Sequence, residues 1–178
     1  MKKILSLILA LCLMMTAASA LAETMTTELM KLDNGVTIVI NHDENVKFYP
    51  AAIERPNVGY WMIEDGVHAA VTLNIAPSEI DSELSLGDLT EEQQLQYGAM
   101  VGEMFANPEI HLDTTPSGNK YLHICSNEES DIDTILTIYK GYFVEMIQFS
   151  DDNFQQLTEE DKAFCLSLLH GIEFVSAE

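Results

Sequence analysis

Apolar and polar positions along the chain fall mainly into short alternating runs separated by turn dipeptides, with two longer stretches of three- and four-residue spacing. "ELMKLDNGVTIVIN" predicts a hairpin around Asn34-Gly35, a pair that enters positive φ at low cost. "NHDENVKFYPAAIERPN" predicts a loop holding one brief strand, because Pro50 and Pro56 cannot donate to a ladder. "VGYWMIEDGVHAAVTLNIAP" predicts a second hairpin, with Asp65-Gly66 joining Val58–Ile63 to Val67–Ile75 and Pro77 ending it. "EIHLDTTPSGNKYLHICS" predicts a third around Pro116-Ser117-Gly118-Asn119, and "DTILTIYKGYFVEMIQFS" a fourth around Lys140-Gly141.

The two helical stretches each begin at a cap. Thr90 with Gln93 makes a capping box for a helix running to Asn107-Pro108, with an apolar stripe of Leu95, Gly98, Met100, Val101, Met104 and Phe105. Gly98 and Gly102 share a face and would let that helix approach its neighbour closely. Thr158 caps the second, whose apolar face is Phe164, Cys165, Leu168, Leu169 and Ile172, with Gly171 placed to end it and "IEFV" as a short tail. Hairpins, helix, hairpins, helix is the order of an α+β domain. The expected architecture is a largely antiparallel sheet of about six to eight strands built from hairpins, with two main helices packed on it.

The first residues change the picture of where this domain works. Lys2 and Lys3, an apolar run from Ile4 to about Met15 and the small-residue end Ala20-Leu21-Ala22 form a signal-peptide pattern over 1–22, leaving 23–178 as one globular domain. The apolar run is shorter than the ~20 residues a membrane span needs. Lys2 and Lys3 are two of the eight Lys and Arg, and none of the 29 Asp and Glu precedes Glu23, so cleavage would take the formal charge from −21 to −23. Such a field disfavours nucleic acid and anionic lipid, leaves no expected membrane contact after cleavage, and attracts cations or a basic partner protein. Solubility outside the cell would account for the same charge without a partner.

The succession "YKGYFVEMIQFS", polar linker, amphipathic helix and "GIEF" resembles the C-terminal half of the Mog/PsbP-like fold, and "LDNGVTIVIN" falls where that fold places its first strands. The fold is shared by a photosystem extrinsic protein, a Ran-binding import factor and many small exported bacterial proteins. The resemblance implies a sheet with helices packed on it, and roles in binding or assembly. It carries over no functional residue.

Candidate chemistry is sparse. Asn127, Glu129, Asp131 and Asp133 alternate as calcium ligands do, but an EF-hand begun at Asn127 would need Gly and Glu where Ile132 and Ile138 stand. A weak calcium site or a solvated connection between hairpins are the two readings. His111, His123 and Cys125 are the best zinc or nucleophile constellation, since His111 and His123 could meet across their hairpin with Cys125 on the same face. In an exported chain Cys125 and Cys165 are an even pair that could form a disulfide, or two small buried hydrophobes. Phe48, Tyr49, Tyr60, Trp61 and Met62 are candidate partner-binding residues, with Tyr60 and Met62 on one sheet face and Trp61 on the other. Serine-hydrolase elbows and phosphate loops do not occur. No catalytic residue or cofactor is assigned beyond that weak calcium. The leading expectation is a non-catalytic binding or accessory module at the cell envelope or outside the cell; the alternatives are a small extracytoplasmic enzyme and a calcium-responsive envelope protein.

Overall fold

A computed structural model describes residues 25–31, 36–51, 58–78, 80–81, 83–103, 105, 107–126, 132–150 and 156–176. Residues 1–22, the pair Asn34-Gly35 and Pro56 lie outside the described residues. The strands are β1 (Met25–Lys31), β2 (Val36–Asp43), β3 (Lys47–Pro50), β4 (Gly59–Glu64), β5 (Val71–Pro77), β6 (Pro108–Thr114), β7 (Lys120–Ser126), β8 (Ile132–Tyr139), β9 (Tyr142–Phe149) and β10 (Ile172–Ser176). The helices are α1 (Glu91–Gly102) and α2 (Glu159–His170), with a 3₁₀ turn at Leu86–Asp88. Seven strands form one antiparallel sheet in the order β3-β4-β5-β9-β8-β7-β6, and β1-β2-β10 form a second, smaller one. This is the α+β sheet-and-two-helix architecture expected from the alternation of hairpins and helices. Among the described residues no helix is long and apolar enough to cross a membrane.

Alternation along each strand sends side chains to two differently covered faces. On one face Ile63, Leu73, Ile75 and Met146 meet the small sheet through Ile38 and Ile40, and α2 through Cys165 and Leu168. On the other, Leu122, Ile124, Leu136 and Ile138 meet Leu86 of the 3₁₀ turn and the half-buried Tyr97 and Val101 of α1. That second cover lies chiefly over β6, β7 and β8, with Phe143 of β9 at its edge. We call these the α2 face and the α1 face.

The turns show which local signals controlled the chain. Lys140 and Gly141 both take positive φ, 44° and 76°, and join Tyr139 to Tyr142 as a two-residue hairpin turn. Asp65-Gly66 does not do the same. Pairing of β4 with β5 begins at Ile63 and Val71, so the expected two-residue turn is replaced by a longer loop. The reason is the Asp65 carboxylate, which accepts the N–H groups of Val67 and His68 at 2.9 Å each and offers the backbone an alternative to the ladder. His68, expected on a strand, therefore lies in this loop.

The expected capping box at Thr90 forms, and the Thr158 cap is also a box, with Asp161. The Gln93 N–H donates to Thr90 Oγ1 and the Asp161 N–H to Thr158 Oγ1, with each N3 side chain reaching back to the cap N–H. The stripe of α1 is corrected: Met100 is 60% exposed and Leu95 38%, while Gln94 is buried. Gln94 occupies a core position because its Nε2 donates to the carbonyls of Leu86 (2.8 Å) and Leu89 (3.0 Å), holding the 3₁₀ turn against the helix. Gly171 also has a different role from a left-handed cap, since its φ is −78°. A Cβ there would run into the Asn41 carbonyl, and the Asn41 N–H donates to the Gly171 carbonyl at 2.9 Å. The glycine lets the chain leave α2 against β2, and "IEFV" then pairs with β2 as β10.

Candidate functional sites on the two sheet faces

The register of β6, β7 and β8 builds a cluster of metal-ligating groups at one corner of the α2 face. Glu109 stands opposite Cys125, Cys125 opposite Asp133, and His111 opposite His123, with the two histidine ring centroids 6.2 Å apart. Alternation keeps all five on the same face. His123 Nε2 lies 2.8 Å and 3.0 Å from the two Asp133 carboxylate oxygens. Ligand atoms of His123, Cys125 and Asp133 all fall within 4.8 Å of one another, as do those of Glu109, His111 and Cys125, so the Cys125 sulfur is common to both sets. Asp133 is only 1% exposed, whereas His123 and Cys125 are partly open and Glu109 and His111 stand at the exposed rim.

The electrostatics of this corner argue against a nucleophilic thiol. Burial, and then the carboxylates of Asp133 and Glu109, push the Cys125 thiol up, with Lys162 of α2 acting in the other direction. A catalytic cysteine needs the opposite shift. Cys165 lies wholly in the core, where burial pushes its thiol far up. The two cysteines are free thiols, so the candidate disulfide is not formed.

Of the alternating acidic set, Asn127, Glu129 and Asp131 lie outside the described residues. Asp133 belongs to β8, where its carboxylate faces His123. The sequence reading brought His111, His123 and Cys125 together correctly but missed Glu109 and the His123–Asp133 pair. Glu109 was findable: counting outward from the Pro116–Asn119 turn sets it opposite Cys125.

The second candidate lies on the α1 face, over β3, β4, β5 and β9, which no described helix covers. Tyr49 (48% exposed), Met62 (42%) and Phe149 (42%) stand there with the half-buried Tyr60, Asn74, Glu145 and Ile147. Tyr60, Asn74 and Glu145 form one cross-strand row. Burial pushes the Glu145 carboxyl up, and the Asn74 amide, donating at 3.4 Å, offsets this only in part. Among the described residues no cation pairs with it. Trp61 is on the opposite face, packed with Phe48 against the core, so of the four aromatic partner-binding candidates Tyr49 and Tyr60 share a surface and Phe48 and Trp61 do not belong to it.

A cleft of about 570 Å³ opens between the end of β2, the Asp65–Ala70 loop and α2, lined by His42, Asp43, Asp65, His68, Phe164 and Ser167. His68 Nδ1 lies 2.6 Å from Asp65 Oδ2 and its ring stacks on Phe164 at 5.0 Å. Burial alone would raise the Asp65 carboxyl, but the N–H groups of His68 and Val67 and the His68 ring outweigh it and hold the carboxyl below the ordinary range. These contacts close the loop and dock it on the helix, which explains the pair without catalysis. Ser167 Oγ donates to the Phe164 carbonyl within its own helix. Neither a protein-family model nor a curated protein matches the chain.

Proposed function

We propose that the chain is an exported, non-catalytic binding module that takes a basic protein segment on the open half of its α1 face. The observation that carries this is Glu145, a half-buried carboxylate that no cation among the described residues pairs with, set among Tyr60, Asn74, Ile147 and the exposed Tyr49, Met62 and Phe149. A buried carboxylate without a counterion is costly. An arginine or lysine brought by a partner would neutralise it, with the tyrosine faces supplying further attraction for a cation. Aromatic and methionine side chains are favoured anchors in the centre of interfaces.

Charge argues against a second copy as the occupant. Two chains that each carry a formal charge of −21 repel, whereas a basic segment is steered toward the surface. Strand addition at the edge is also disfavoured, since β3 is four residues long and ends in Pro50. The partner would therefore lie across the side chains of the face. Resemblance to the Mog/PsbP-like fold, whose members serve binding and assembly, agrees with this reading, as does the leader pattern at the N-terminus.

The test is an NMR titration of the isotope-labelled chain with arginine- and lysine-rich peptides, run beside acidic peptides of equal length. Amide shifts centred on Tyr60, Asn74, Glu145 and Ile147, weakened by salt and at least tenfold weaker in Glu145→Gln, are expected. Equal response to acidic peptides, or self-association through this face, would overturn the proposal.

A further inference from the structure

We propose that His123, Cys125 and Asp133 form a site for a divalent cation of the zinc class, held at the corner where β7 and β8 meet on the α2 face. It lies on the opposite side of the sheet from Glu145 and is independent of the binding surface proposed above.

The backbone presents the three ligands together. Cys125 and Asp133 are direct cross-strand partners, and His123 is two residues from Cys125 on the same strand face, in diagonal reach of Asp133. The three ligand atoms already lie within 4.8 Å of one another. Bonds of ~2.0 Å to nitrogen or oxygen and ~2.3 Å to sulfur set tetrahedral ligand atoms roughly 3.3–3.7 Å apart. Closing around an ion therefore needs rotamer adjustment and no strand movement. His123 and Asp133, now at 2.8 Å as a hydrogen-bonded pair, would separate slightly as the ion replaced the proton between them.

Two buried acceptors at this corner are short of donors, with Lys162 of α2 the nearby cation that acts on the Cys125 thiol. The hydrogen bonds that reach the Asp133 carboxylate from described residues come from one imidazole nitrogen, although the residue is 1% exposed. Directly opposite Asp133 on β9 is Gln148, wholly buried, whose Oε1 has no hydrogen-bond partner among the described residues. The Gln148 amide cannot be turned over to relieve this, because its Nε2 donates to the Ala69 carbonyl at 3.1 Å. A buried carboxylate held by one imidazole, beside an amide oxygen with no described partner, is a setting that a bound cation improves.

The donor set chooses the metal class. One imidazole, one thiolate and one carboxylate suit Zn²⁺ and its spectroscopic substitute Co²⁺, whereas Ca²⁺ takes six to eight oxygen ligands. Glu109 and His111 form a separate set around the same Cys125 sulfur at the exposed rim, so three protein ligands hold the ion and the fourth position stays open.

Cobalt titration of the purified chain under reducing conditions tests the proposal. One Co²⁺ per chain is expected, with a thiolate-to-metal charge-transfer band and d–d absorption of tetrahedral intensity, both displaced by one equivalent of Zn²⁺. Cys125→Ser should abolish the charge-transfer band, and Asp133→Asn should weaken Zn²⁺ at least tenfold. His111→Ala should weaken it less than His123→Ala does. Cys125 is partly exposed on its strand, so Cys125→Ser is expected to fold even if the buried Asp133 variant does not. Absence of the band at millimolar Co²⁺, or its survival in Cys125→Ser, would overturn the assignment.

Discussion

Replacing Gly98 by alanine sets two opposed effects against each other, and the structure decides which is larger. In a helix interior the change should stabilise by about 0.5–1 kcal/mol, since glycine surrenders more backbone freedom on folding. Here the new Cβ would stand 2.6 Å from Ile110 Cγ2, with Ile110 Cδ1 at 3.5 Å and Leu122 Cδ1 at 3.6 Å. Carbon atoms rest ~3.5–4.0 Å apart, so the overlap with Cγ2 is about 1 Å. Ile110 yields poorly, because β-branching stiffens χ1 and its backbone is paired to Ile124 in the sheet. Overpacking of this kind costs about 1–3 kcal/mol, leaving a net loss of roughly 1 kcal/mol and about 2–4 °C in Tm. Urea and thermal unfolding of Gly98→Ala in two backgrounds give the measurement. In the natural chain the variant should be destabilised, and in Ile110→Ala the sign should reverse, with a coupling of about 1–3 kcal/mol between the sites. Equal stabilisation in both backgrounds would refute the claim that close approach to β6 is why glycine stands at 98.

Acid stability should depend on Asp65 and Asp161. For each, burial alone would raise the carboxyl, but hydrogen bonds outweigh it: from the His68 and Val67 N–H groups to Asp65, and from Thr158 and the Ala69 N–H to Asp161. A carboxyl whose native value is lowered stabilises fully above the ordinary range near ~3.9, and loses that contribution as pH falls through the native value. Asp65→Asn and Asp161→Asn should therefore flatten the acid limb of a pH–Tm curve. Glu145 carries the opposite sign: its raised carboxyl makes the ionised form a native-state cost, so Glu145→Gln should raise the urea midpoint at neutral pH, with the gain fading as pH falls through the raised native value and absent below the ordinary range near ~4.3. Gly141→Ala should lose about 1–2 kcal/mol in equilibrium unfolding, since φ is 76° there. Trp61, the only tryptophan, is partly buried against the core and should show weaker acrylamide quenching than in urea, and full accessibility would contradict its packing.

Where a local signal had one strong outcome, the sequence was readable. Thr90-x-x-Gln93, Thr158-x-x-Asp161 and Lys140-Gly141 each satisfy backbone groups within a few residues, so no distant contact had to be known. Where two local outcomes compete, it was not. Asp65-Gly66 fits a two-residue hairpin, yet the same Asp65 carboxylate fits a hydrogen-bonded loop, and the choice also involves the stacking of His68 on Phe164 of α2. The α1 stripe failed for a related reason. Hydropathy gives Gln94 to water, but an amide with two carbonyls in reach can be buried, and its neighbours Leu95 and Met100 are then turned outward.

The cation corner lay between these cases, because its geometry descends from a chain of registers. β8 is buried at every position from Asp133 to Ile138, so its own hydrophobic pattern does not say which face Asp133 takes. β9 does alternate, with Tyr142, Val144, Met146 and Gln148 buried and the residues between them more open. The two-residue turn at Lys140-Gly141 transmits that choice to β8, setting Ile135 opposite Met146 and Asp133 opposite Gln148. A slip of one residue would move Asp133 to the apolar cluster under α1 and aim Ile132 or Thr134 at His123. Two residues in left-handed conformation therefore determine that the carboxylate meets the imidazole and the thiol, although neither touches the site. An insertion in that turn should remove cobalt binding while leaving the β6–β7 hairpin, with His111 opposite His123, intact in its pattern of amide-to-amide NOEs; retention of the charge-transfer band would show that β8 takes its register from β7 instead.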